Sequence, residues 1–368
     1  MTQDTPYLLT PGPLTTSLRV KRAMLRDWGS RDPDFEALTA DVCARLKVIA
    51  GAGDGYACVP IQGSGTFAVE AMLVTLVPRK GHVLVLSNGA YGRRIAEIAT
   101  RVGVQVSTLE NADDTPNDVA ALRKRLAEDD SITHVAAVHC ETTSGLLNPV
   151  EEIAAICCET GRALLLDSMS GFGALPLDAE GQGITAIAAS ANKCLQGVPG
   201  VGYVIVDRGA LQAAQGNAPT LVLDLEAQQR QFEKDGQWRF TPPTHVMAAL
   251  SEALMELEEE GGPAARLARY RANYDLLSQG MADLGFRPAL DPAVQAPIIV
   301  SFHEPQAAWF DFAEFYERLK AQGFAIYAGK MRAQDTFRIG VIGAIDPGII
   351  GMFLDVTRNV IEKMQENG

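Results

Sequence analysis

The sequence predicts an α/β protein: a mostly parallel sheet with helices on both faces, followed by a smaller α+β domain. Three observations predict it. From about residue 56, short strand-like runs alternate with helical patterns: "YACVPI" (56–61), "HVLVLS" (82–87), "VQVSTL" (104–109), "THVAAVHC" (133–140), "RALLLDSM" (162–169) and "VGYVIVD" (201–207). These runs are rich in Val, Ile, Leu and Ala on both faces, which is the mark of strands buried on both sides. The pattern then changes towards the C-terminus, and at 368 residues the chain exceeds the size at which one core stops growing.

Taken in chain order, the start "MTQDTPYLLTPGPL" has Asp4 and three prolines where a secretory leader would have a basic region and a long apolar run. No signal peptide is expected, and no apolar stretch reaches membrane-spanning length. Within the alternating region, "GRRIAEIATRV" places Ile95, Ile98, Ala99 and Val102 on one helical face. Residues 245–284 read as two helices interrupted at "EEEGGPAAR", where Gly261, Gly262 and Pro263 stop one and start the next. Beyond them "PIIVSFH", "FAIYA" and "TFRIGVIG" read as strands. "WFDFAEFYERLKAQG" and the last segment read as amphipathic helices, with Phe312, Phe315, Tyr316 and Leu319 at helical spacing. The expected division is an N-terminal arm at 1–14 that forms a segment of the small domain, a large domain at 15–264 and a small domain at 265–368. No internal repeat or low-complexity segment interrupts it.

The net charge of -13 argues against nonspecific binding to nucleic acid or to an anionic membrane, since both need a basic face. It says nothing against a small anionic substrate, which responds to a few local cations. Six cysteines show no CxxC pairing and read as reduced, small apolar residues of a cytosolic protein, with no metal site.

In an α/β sheet ligands gather at the carboxyl ends of the strands, so the residues just after each run carry the chemistry. After the first come Gly63, Ser64, Gly65 and Thr66, whose backbone N–H groups and hydroxyls can hold a phosphate at a helix N-terminus. The same residues match a dinucleotide fingerprint through Gly63, Gly65 and Ala68, but the next run ends "VLSNGAY" with no acidic residue for a ribose. A plain tight turn is the alternative. After the second run Tyr91 can stack on a flat ligand, or simply pack. Thr142 and Thr143 follow the fourth run and can reach a ring substituent, or cap a turn.

Asp167 closes the fifth run, where a carboxylate is costly unless a cation meets it. A protonated pyridine nitrogen would serve, and a helix cap is the plainer partner. Last comes Lys193 in "ASANKCLQGVPG", after the apolar run Ile184 to Ala189. A lysine among small uncharged residues readily loses its proton and becomes a nucleophile towards aldehydes, whereas a loop lysine in water does not. A phosphate cradle, a stacking aromatic, a hydroxyl, an aspartate and a lysine, in that order, together describe a site for pyridoxal phosphate.

At these residues the chain resembles the class V aminotransferases, a branch of the fold type I pyridoxal-phosphate enzymes. The resemblance runs nearly end to end: "LLTPGPLTTS", "QGSGTFAVEA", "SNGAYG", "HCETTSGLLNP", "SANKCLQGVPG", "WRFTPPTH" and "FRIGVIG". It implies a seven-stranded sheet and pyridoxal 5'-phosphate held covalently by Lys193, with Asp167 on the ring nitrogen. It further implies Tyr91 against the ring, Ser64, Gly65 and Thr66 on the phosphate, and Thr142, Thr143 and Ser190 close by. Tyr91 stands where relatives that use glyoxylate often have tryptophan. The segment "FTPPTH" implies a homodimer with the site at the subunit interface, in which Thr241 reaches the neighbour's cofactor phosphate.

Arg338 matches the substrate-anion arginine, and Gly12 of "TPGP" lies with it on the substrate side. On its own, a buried arginine in an apolar strand also fits a structural ion pair. Arg31, Lys330 and Arg332 are further cations without an assigned role. The activity implied is transfer of the amino group of 2-aminoethylphosphonate to pyruvate in phosphonate degradation, giving phosphonoacetaldehyde and L-alanine. An alanine or serine donor with glyoxylate is the nearest rival. A cysteine desulfurase on the same fold would need a cysteine after Cys194, and there is none.

Overall fold

In the computed structural model, which describes residues 5–367, a seven-stranded sheet is built from strands between residues 56 and 207. Its strands are β1 (Tyr56–Gly63), β2 (His82–Ser87), β3 (Gln105–Glu110), β4 (His134–Val138), β5 (Ala163–Asp167), β6 (Ala186–Ser190) and β7 (Gly200–Asp207). They lie in the order β1-β7-β6-β5-β4-β2-β3. Only β7 runs antiparallel to its neighbours, so the sheet is mostly parallel, as the doubly apolar runs predict. The register sets Val138 beside Asp167 and Asp167 beside Ala188, which brings three strand ends to one edge.

Helices cover both faces. One core joins α1 (Pro33–Ile49), α4 (Val119–Glu128), α5 (Val150–Thr160) and α6 (Thr244–Glu260) to the sheet through residues such as Phe35, Leu46, Leu122, Ile153 and Leu254. The opposite core packs α2 (Gly65–Leu76) and α3 (Ala90–Arg101) through Ala68, Met72, Ile95 and Ile98. Since β1 to β7 are enclosed from both sides except at the edge strand β3, alternation gives way to continuous apolar runs.

The helix α7 (Gly262–Asp283) leads into the C-terminal region, where β8 (Ile299–His303), β9 (Tyr327–Ala328) and β10 (Thr336–Gly340) form a sheet in the order β8-β10-β9. Its core is aromatic, with Phe286, Phe302, Phe315, Phe337 and Phe353 buried, and the last helix α8 (Pro347–Asn367) packs on it. The N-terminal arm belongs to this core. Leu9 is buried in it, and the strand Tyr7–Leu8 pairs in parallel with Phe324–Ala325. The first four residues of the arm, Asp4 included, lie outside the described residues.

Two strand expectations are corrected. The run 133–140 is not one strand: β4 ends at Val138, and Cys140–Glu141 turns away to pair with Leu146–Leu147. "FAIYA" splits in two, because Phe324–Ala325 serves the N-terminal arm while Tyr327–Ala328 serves β10. Among the described residues no helix is long and apolar enough to cross a membrane.

Candidate active site

The carboxyl edge of the sheet opens into a cavity of about 150 Å³. It is lined by Ser64, Gly65, Thr66, Tyr91, Thr142, Asp167, Ser190 and Lys193, and also by Val69, Arg94, Ile95, Met169 and Asn192. Residues far apart in sequence therefore meet at one place, because parallel strands deliver their following loops to the same edge.

Ser64 is the N-cap residue of α2, yet its hydroxyl makes no capping hydrogen bond. That hydroxyl and the open N–H groups of the first turn face the cavity as an anion cradle. Gly65 is required there by close approach, since a Cβ would stand 2.3 Å from the Met169 sulfur. Tyr91 sits in the first turn of α3, and the Arg94 guanidinium lies 4.8 Å from its ring centroid while donating to the Thr66 hydroxyl at 3.3 Å.

Asp167 is buried, and among the described residues its carboxylate accepts one hydrogen bond, from the Met169 N–H at 2.9 Å. Burial pushes its carboxyl up to about 6 from an ordinary value of 3.8. A rise of that size corresponds to roughly 3 kcal/mol held against the ionised form. It caps no α-helix and forms no ion pair among the described residues, so a cationic ring nitrogen meets an unfilled need. Lys193 donates to the Pro11 carbonyl at 2.9 Å, and burial pulls its ammonium down to about 8 from 10.5. An amine that deprotonates this easily, sharing a cavity with a buried carboxylate and a helix-N-terminal anion cradle, fits pyridoxal phosphate in donor set and charge.

The loop that carries Lys193 is braced by the helix α7. Arg266 and Tyr270 both donate to the Cys194 carbonyl, at 2.8 and 3.3 Å. Gln196 donates to the Tyr270 hydroxyl at 2.6 Å and to the Gly343 carbonyl at 2.9 Å. Gly12 packs on the lysine from the N-terminal arm, at φ +121° and with its missing Cβ only 2.5 Å from the Lys193 Cδ.

Arg338 lies in β10 and is buried. Its Nε donates to the Ala328 carbonyl at 3.1 Å and its Nη1 to the Thr142 carbonyl at 2.8 Å. No carboxylate pairs with it among the described residues, so the structural ion pair is not what holds it there.

The sequence-predicted residues do not all converge. Thr142 lines the cavity, where its hydroxyl pairs with that of Ser170. Thr143 does not line it: its hydroxyl donates to Glu141 and accepts from the Ala90 N–H at 3.1 Å. Glu141 also accepts from the Tyr91 N–H at 3.2 Å, so Thr143 and Glu141 fix the start of α3 from behind. Thr241 is exposed in the turn before α6 and does not line this chain's cavity. Arg31, Lys330 and Arg332 are exposed as well. Sequence reasoning missed Arg94, Met169 and Asn192. Only Arg94 left a signal, three residues after Tyr91 and so on the same helical face.

The chain belongs to the class V aminotransferases: the family profile described as Aminotransferase class-V matches residues 26–342. These are pyridoxal-phosphate enzymes, and that cofactor is the group the cavity fits. More particularly, the chain is 52% identical over 362 residues to the 2-aminoethylphosphonate--pyruvate transaminase of Pseudomonas putida (strain W619), covering 98% of each chain. It is 54% identical over 345 residues to the enzyme of the same name from Burkholderia thailandensis, covering 94% of each. Among solved structures, the ureidoglycine-glyoxylate aminotransferase of Bacillus subtilis is similar with a TM-score of 0.90 at 22% identity, covering 99% of this chain and 95% of that one. The alanine--glyoxylate aminotransferase of Nostoc sp. matches with a TM-score of 0.90 at 24% identity, covering 98% and 96%. These two likenesses establish the shared fold.

Proposed function

We propose that this enzyme moves the amino group of 2-aminoethylphosphonate to pyruvate, giving phosphonoacetaldehyde and L-alanine. Full-length relatives more than half identical and bearing that activity in their names support the substrate pair. The observation on the molecule that carries it is Arg338 beside the cavity of Lys193 and Asp167: a buried guanidinium held by two carbonyls and, among the described residues, by no carboxylate suits an anionic substrate group.

When bound, pyridoxal phosphate supplies an electron-withdrawing ring that stabilises negative charge on the substrate carbon. The protein's own groups do the rest. Ser64, Gly65 and Thr66 would hold the phosphate, Tyr91 would flank the ring, and Thr142 and Ser190 would lie close by. Asp167 keeps the ring nitrogen protonated. Lys193 would hold the cofactor through its deprotonated amine and, when that amine is free, would serve as the base that moves the proton at the substrate carbon. A positioned base of this kind is worth ~10²–10⁴ in rate. Arg338 clamps the anionic end of the substrate, and Gly12 leaves room beside the lysine. Thr143 acts through Glu141 and the start of α3 rather than by contact.

The working unit is a homodimer, with Thr241 reaching the partner's cofactor phosphate. Exposed apolar side chains support this: Leu221, Val222 and Phe240 are 67%, 62% and 44% exposed, and Arg239 ties their two loops by donating to the Leu221 carbonyl. A cytosolic setting agrees with six free thiols. The domain division falls near residue 264, in the first turn of α7.

Single-turnover absorbance tests the reading. With 2-aminoethylphosphonate alone the cofactor band of the holoenzyme disappears, pyruvate restores it, and Lys193→Ala shows neither change. An enzyme inert to 2-aminoethylphosphonate but bleached by L-serine would make the donor an ordinary amino acid.

A further inference from the structure

The two substrates of the proposed reaction differ in charge. A phosphonate approaches double ionisation near neutral pH, much as a phosphate ester does. Pyruvate has one carboxylate, and both enter the same cavity in turn. Fixed cations sufficient for the first would leave an unbalanced buried charge beside the second.

The cations around the cavity are of two kinds. Arg338 is fixed by the carbonyls of Ala328 and Thr142, and Arg94 by the Thr66 hydroxyl and the Tyr91 ring. Lys330 is fixed by nothing: its side chain is exposed and makes no hydrogen bond or ion pair among the described residues. It lies on the turn between β9 and β10, two residues after the Ala328 whose carbonyl receives Arg338. Besides burial, the fields of Arg338 and Arg94 pull its ammonium below the ordinary lysine value, so the three cations share one neighbourhood.

The turn itself is tied down, although Lys330 is not. The Arg332 N–H donates to Asp113 at 3.0 Å, and the Arg332 guanidinium stands 3.6 Å from Glu110. Arg93 pairs with the same two carboxylates, at 3.1 Å from Asp113 and 3.9 Å from Glu110. Met331 is buried under the turn, and a cavity of about 260 Å³ separates the turn from the loop after β3. A compact charge on a flexible four-carbon stem thus rises from an anchored turn, two residues from the carbonyl that holds Arg338.

We infer that Lys330 supplies the second positive charge to the phosphonate of the donor and swings clear for the carboxylate of the acceptor, its turn being held in place by Arg332 on Glu110 and Asp113. The inference rests on the aminophosphonate reading of the donor.

The experiment measures each half-reaction separately by rapid-mixing absorbance, in wild-type holoenzyme and in Lys330→Met. With 2-aminoethylphosphonate the variant loses about tenfold in kcat/KM, the scale of one charge-assisted contact. With pyruvate, measured on the aminated enzyme, it stays within about twofold. Preference for 2-aminoethylphosphonate over β-alanine, which replaces the phosphonate by a carboxylate, shrinks by the same tenfold. Arg332→Ala shifts the donor half-reaction in the same direction and spares pyruvate. Equal losses with both substrates, or none, would overturn the role of Lys330 while leaving the donor assignment intact. A wild-type enzyme that ignores 2-aminoethylphosphonate would overturn both.

Discussion

Burial acts first on both Lys193 and Asp167, and each opposes that effect in the other. At pH 7 a lysine titrating near 8 is neutral in about one molecule in ten, against roughly one in three thousand for an ordinary lysine. Capture of added pyridoxal phosphate by the apoenzyme should therefore accelerate as pH rises and level off above about 8. Stopped-flow absorbance checks this, and a rate still climbing towards 10.5 would contradict it. Both residues were legible in the sequence because each follows an apolar run at the edge where a parallel sheet presents its ligands. The pair Thr142 and Thr143 was not separable. Adjacent residues of one type look alike in sequence, and only the turn after Cys140–Glu141 sends one hydroxyl to the cavity and the other to Glu141.

At the scale of elements, the site is held from outside the sheet. The N-terminal arm pairs with Phe324–Ala325 through Tyr7–Leu8, then passes Gly12 over the lysine stem. Gly12→Ala would put a Cβ within 2.9 Å of the Asn192 carbonyl as well as on Lys193, at a φ that L residues rarely adopt. The backbone conformation alone costs about 1–2 kcal/mol. The variant should melt a few degrees lower and lose at least tenfold in cofactor affinity, measured by calorimetry and by absorbance titration. A normal titration would show that the arm does not set the lysine. The arm is expected to go with the small domain, but its pairing of Tyr7–Leu8 with Phe324–Ala325 could not be read from its neighbours, since the partner strand lies at the far end of the chain.

For the whole molecule, the proposed dimer predicts that Thr241 serves a cavity other than its own. Sedimentation should find a dimer at micromolar concentration. Thr241→Ala should keep that dimer while weakening cofactor binding about tenfold, as for one hydrogen bond to a charged group. A monomer with full cofactor affinity would remove the subunit from the site. The exposed Leu221, Val222 and Phe240 are consistent with a covered face, though their clustering shows only when the chain is folded.

By itself the sequence determined the parallel sheet, the order of the site residues along its edge and the chemistry their types allow. Apolar periodicity and residue identity are local properties that survive without coordinates. The tertiary structure decided which groups lack a partner. Among the described residues, Arg338 on the Thr142 carbonyl, Arg94 on the Thr66 hydroxyl and Lys330 with no polar partner follow from how segments apart in the chain come together, and a linear pattern carries no record of distance.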